Sequence, residues 1–219
     1  MTEAVREPAQ VMSSCLDSMR ATLTALEDQG IGQALREIEA ISRTMQSVML
    51  DVVAEAESRG IAAREGFGTT RRMLAAMLRL SPAEARTRVE HAAQVGTRRT
   101  LTGETLPPQL PETAAALAAG EIGVGQLRVI TEAMSALPAS VPGPVRERAE
   151  ADLAGHARDF DPRRLRIIAH RLLATLDPDG PEPADDPTPA TPVRGELWLR
   201  DRRDGRLGLE GWLDPEHGS

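Results

Sequence analysis

A seven-residue rhythm of apolar side chains sets the terms for the first sixty residues. Val5, Ala9, Met12, Leu16, Met19, Leu23 and Leu26 alternate spacings of four and three. After "EDQG" the rhythm restarts as Ile31, Ala34, Ile38, Ile41, Met45, Val48 and Val52. A helix gathers such positions into one narrow seam, and a seam of that width is built to meet another helix. The spacing predicts two helices joined by a short Gly-containing turn, as an antiparallel helical hairpin or as the arm of a coiled-coil homodimer. Seams of this kind also pack onto the rest of a domain. Pro8 suits the first turn of a helix, or a kink.

Beyond residue 60 the helix signals are local and strong. "GFGTT" breaks the pattern, and Thr69 or Thr70 can cap the short helix "RRMLAAMLRL". In "SPAE", Ser81 is an N-cap, Pro82 takes the first helical position and Glu84 closes a capping box. This helix is expected to end at Gly96. "LTGETLPPQLP" (101–111) is expected to be a loop, because its prolines remove backbone donors. "ETAAALAAG" makes a small helix ending at Gly120, and "VGQLRVITEAMSAL" and "VRERAEADLAGHARDF" make two more. Asp161 and Pro162 start another, whose stripe is Leu165, Ile168, Ala169, Leu172, Leu173 and Leu176. "DPDGPEPADDPTPATP" (177–192), with six prolines and five acids, cannot form a packed core. The period then changes to two: Leu197 and Leu199, then Leu207 and Leu209, flank the turn signal Asp204-Gly205 and predict two short strands. Asp214-Pro215 repeats the Asp-Pro helix start, which makes His217 a surface residue of a first turn.

The fold class expected is therefore mainly α. The organisation expected is a heptad-patterned helical hairpin over 1–60, a helical domain over 61–176, a Pro- and acid-rich linker over 177–193, and a β-hairpin with a truncated helix start over 194–219. Composition agrees. With two Trp, two Phe and no Tyr, a core has to be made of small and branched aliphatics, which helices mesh better than sheets do.

Charge is unevenly spread behind the net −7. Residues 61–110 carry eight Arg against four acids, whereas 1–60 carry five Arg against ten acids. Arg71, Arg72, Arg79, Arg86, Arg88, Arg98 and Arg99 are the candidate nucleic-acid-binding set, and four of the seven can share a face. Each phosphate contact would add salt-dependent affinity without reading sequence. A solvated helical surface is the alternative account. The single Cys, Cys15, excludes an internal disulfide and is expected to be a small buried or half-buried residue. No stretch is apolar enough for a bilayer and the N-terminus lacks a signal core, so a soluble, cytoplasmic protein is expected.

Chemistry is sparse. His91, His156 and His170 fall within predicted helices as ordinary surface or half-buried residues, and none pairs with a second ligand at metal spacing. No catalytic residue, metal site, cofactor or small-molecule substrate is expected. "LPETAAALAAGEIGVGQLRVI" has the outline of a helix-turn-helix, although Gln126 and Arg128 are the only base-contacting side chains its second helix offers. An ordinary helical corner is the other reading.

Four separated blocks, "ALAAGEI", "DPRRLR", "LDPDG" and "GWLDPEHG", occur in an order that resembles a known family. It is the helical domain of unknown function 222, found ahead of HNH endonuclease domains in the 13E12 repeat family. The resemblance runs from about residue 74 to 219. It implies that full-length relatives are HNH endonucleases whose cleavage site lies further downstream, and that this chain is their non-catalytic, DNA-associating helical part. The heptads support a different expectation, a dimerisation or protein-interaction module with no nucleic-acid role.

Overall fold

The computed structural model describes residues 3–99 and 103–177, and the backbone of 196–201 and 207–212. The chain divides into two units, Met1–Pro178 and Asp179–Ser219. The fold is mainly α, as expected.

The first unit opens with α1 (Glu3–Thr22), a 3-10 turn (Leu23–Ala25) and α2 (Asp28–Ser58). Two successive helices follow from the heptads, but the break between them falls at Leu26 and Glu27, both in extended backbone. Gly30, expected in the turn, lies inside α2 together with Gly32, where each glycine costs only about 1 kcal/mol. Pro8 sits inside α1, past its first turn. Beyond the 3-10 turn α1 has no substantial packing partner among the described residues. Cys15 is therefore exposed, not buried as expected.

Short α3 (Ile61–Arg64) and α4 (Thr70–Leu78) lead to α5 (Pro82–Val95). Thr69 caps α4 by accepting a hydrogen bond from the Arg72 amide at 3.3 Å. Ser81 Oγ accepts from the Glu84 amide at 3.1 Å, and α5 stops at Gly96. The capping box closes on one side only, since the Glu84 carboxylate is engaged by Arg88 at 2.7 Å. Within the expected 101–111 loop lies a two-residue strand. β1 (Arg98–Arg99) and β2 (Thr105–Leu106) pair antiparallel.

α6 (Pro111–Ala118), α7 (Val124–Ala136), α8 (Gly143–Asp159) and α9 (Pro162–Leu176) complete the unit. Asp161 accepts from the amides of Arg163 and Arg164 at 2.9 and 3.1 Å, as its sequence position predicts. α2 packs on α5 and α6, while α7 packs on α8 and α9. Leu117, Ile122, Leu127, Ile130, Leu153 and Leu165 are fully buried where these layers meet. Burying each contributes roughly 1.5–3 kcal/mol, and alanines such as Ala85 and Ala116 let the helix axes approach.

α8 ties down two neighbouring helix ends. Glu150, buried, accepts from the Thr113 amide at 2.6 Å and the Thr113 hydroxyl at 2.5 Å, which caps the N-terminus of α6. Arg146 donates to the carbonyls of Met134, Leu137 and Pro138 at 3.0–3.2 Å, which caps the C-terminus of α7. Both are charge-assisted bonds to groups that a helix end leaves unpaired.

The second unit contains β3 (Glu196–Asp201) and β4 (Leu207–Trp212), antiparallel, with Leu197 opposite Gly211 and Leu199 opposite Leu209. This is the expected hairpin. The 178–193 part of the linker, the Asp204-Gly205 turn and the Asp214-Pro215 helix start with His217 lie outside the described residues.

Candidate functional site: the arginines and an interhelical cavity

The seven candidate arginines do not form one face. Arg86 and Arg88 are two residues apart on α5, which sets them about 200° apart around the axis. Arg86 donates to Glu90 at 2.6 Å and Arg88 to Glu84 at 2.7 Å. Arg99 reaches Glu55 of α2 at 3.4 Å, and Glu55 also holds Arg59. The Arg59 hydrogen bond, with the charges of Arg59 and Arg99, keeps the Glu55 carboxyl below its ordinary range. Arg71 and Arg72 occupy the first turn of α4, Arg79 its left-handed C-cap at φ 54°, and Arg98 lies on β1. Arg71, Arg72 and Arg79 carry no ion pair among the described residues.

The helix-turn-helix outline is also altered by the packing. α7 is a core helix whose Leu127, Val129, Ile130 and Ala133 are buried. The Gln126 side chain accepts from the Gly123 amide at 3.2 Å and donates to the Phe160 carbonyl at 3.5 Å. Only Arg128 of the two expected reading side chains remains exposed.

Arg128 instead lines an open cavity of about 920 Å³ between α2, α5, α7 and α9. α2 contributes Met45, Met49 and Leu50; α5 contributes Glu84, Arg88 and His91; Val124 and Arg128 come from α7, and Pro162 and Arg166 from α9. Helical spacing explains the α5 set, since positions 84, 88 and 91 return to one face. The first turns of α7 and α9 meet at Gly125, where a Cβ would stand 2.9 Å from the Pro162 ring. A larger residue there would push the two N-termini apart.

His91 is only 6% exposed and makes no hydrogen bond to a described residue. It was expected to be an ordinary surface or half-buried helix position. Burial pushes its imidazole pKa down, the Arg128 charge adds to that, and Glu90 acts in the opposite sense. Arg88 is neutralised by Glu84, whereas Arg128 and Arg166 have no carboxylate partner among the described residues. His91, Arg128 and Arg166 come together only through the meeting of three helices. Among the described residues, no group of three His, Cys, Asp or Glu side chains could hold a metal ion.

Comparison with known proteins places this geometry in context. A family model described as a domain of unknown function (DUF222) matches residues 32–219. An uncharacterized protein of Mycobacterium tuberculosis (strain CDC 1551) is 34% identical over 220 residues, covering 99% of this chain and 50% of that protein. Another, from strain H37Rv, is 40% identical over 143 residues, covering 65% of this chain and 31% of its own. A protein of Mycobacterium bovis, likewise uncharacterized, is 38% identical over 149 residues, covering 68% and 32%. The chain spans half or less of the length of these relatives. No solved structure matches.

Proposed function

The chain belongs to the DUF222 family, and on that premise we propose that it is a non-catalytic helical module of a longer protein that self-associates through its N-terminal heptad seams. The observation that supports this is the uncovered state of both seams. Along α1, Val5 is 66% exposed and Leu16 45%; along α2, Ile41 is 50% exposed and Val52 60%. Soluble chains seldom leave so long an apolar stripe to water unless something covers it. A second copy brings the same heptad spacing, the condition for knobs of one helix to enter holes of the other.

Light scattering across a concentration series tests the proposal. The chain is expected to be a dimer, and Ile38→Glu with Val48→Glu to be a monomer with unchanged helical circular dichroism, because both positions are exposed in the single chain. A wild-type chain that stays monomeric at millimolar concentration overturns it.

The family resemblance favours a second reading, in which the module assists the DNA association of an HNH-endonuclease-type protein. Arg71, Arg72 and Arg79 around α4 would then touch the DNA backbone, while Arg86, Arg88 and Arg99 are already engaged by acids. A salt-titrated binding assay on duplex DNA separates the readings. Affinity unmoved by Arg71→Ala with Arg72→Ala removes this one.

A further inference from the structure

We propose that the cavity between α2, α5, α7 and α9 binds an amphipathic organic anion, with its oxyanion at Arg128 and Arg166 and its aliphatic body against Met45, Met49 and Val124.

Size, charge and burial each support this. A volume of about 920 Å³ lies within the range of small-molecule sites, which are mostly apolar with a few convergent polar groups. Its lining has that composition, with Met45, Met49, Leu50 and Val124 beside Arg88, Arg128 and Arg166. The Glu84–Arg88 pair cancels, which leaves the charges of Arg128 and Arg166. Three helices of 14, 13 and 15 residues, α5, α7 and α9, also present their first turns here through Ala83, Val124 and Pro162. Of these N-termini that of α7 carries no acidic residue in its first turn, so its dipole adds positive potential here.

His91 lines the same cavity with no hydrogen bond to a described residue, so a ligand oxygen can accept its ring N–H. Met45 belongs both to the cavity and to the α2 seam, but Arg128 and Arg166 do not belong to the heptads. The proposal therefore does not rest on dimerisation, and the two can fail separately.

Calorimetric titration of the full chain with decanoate and with decyl phosphate, both below their micellar concentrations, tests it. Saturable binding at one site per chain is expected, and the tighter headgroup tells a carboxylate ligand from a phosphate one. Decanol, which lacks the charge, and inorganic phosphate, which lacks the chain, are each expected to bind at least about tenfold more weakly. Arg128→Ala and Arg166→Ala should each cost about tenfold in affinity with unchanged circular dichroism, since both side chains are exposed. Decanol binding as well as decanoate, inorganic phosphate as well as decyl phosphate, or arginine variants with undiminished affinity would each overturn the proposal. So would loss of binding on Leu16→Glu, which would put the ligand on the α1 seam.

Discussion

Gly120 illustrates how much a single position can constrain. It follows α6 in the left-handed region, at φ +73°, and a Cβ there would stand 2.6 Å from the Ala40 carbonyl oxygen and 3.0 Å from Thr44 Oγ1. Gly120→Ala adds backbone strain to a collision with helix backbone, so a loss of about 2–4 kcal/mol is expected from urea denaturation. An unchanged midpoint would mean that α2 and α6 can separate freely. His91 provides a test with the opposite tool, acid. Its folded-state pKa lies below the unfolded value, so the unfolded chain binds the proton first. The stability held above the unfolded pKa is then lost as pH falls from there through the folded pKa. Between pH 7.5 and 5.5, at about one unit either side of an ordinary histidine, the urea midpoint of the wild type should fall more than that of His91→Gln. Parallel curves would remove His91 as the cause.

At the scale of elements, the helix starts were legible because they are local. Ser81 and Asp161 act as caps with the amides two or three residues on, and a Pro behind each fixes the first turn. Ser81→Ala should therefore cost about 1 kcal/mol in thermal unfolding. What misled was also local. Gly30 suggests a turn, yet α2 runs through it and through Gly32, because the helix formers that follow outweigh the two glycines. Strand β2 is two residues long, too short to leave a periodic signature. The cavity was not legible at all. His91, Arg128 and Arg166 lie on three helices, and their convergence depends on how α5, α7 and α9 cross. The arginines were legible as a cluster in sequence, whereas the Arg99–Glu55 pair depends on how β1 meets α2.

At the scale of the molecule, α1 and α2 present their seams outward, while the opposite face of α2, with Leu50 and Val53, packs with α5 and α6. No helix among the described residues is long and apolar enough to cross a membrane. The helix packing has a pivot in α8, whose Arg146 and Glu150, one turn apart, hold the last carbonyls of α7 and the first amides of α6. The consequence appears in the order in which the structure opens. Amides in the first turn of a helix have no carbonyl of their own helix to bond, and ordinarily exchange with solvent fastest. In an eight-residue helix that fraying should reach nearly every residue. Here the Thr113 amide is locked to a buried carboxylate on another helix, so it can exchange only when α8 departs. Hydrogen–deuterium exchange should find Thr113 among the slow amides, leaving together with those of α7 and α8. In Glu150→Ala it should become fast while Leu50 and Val53 of α2 keep their protection. The weakest end of the shortest core helix thus becomes a reporter of when three helices come apart as one.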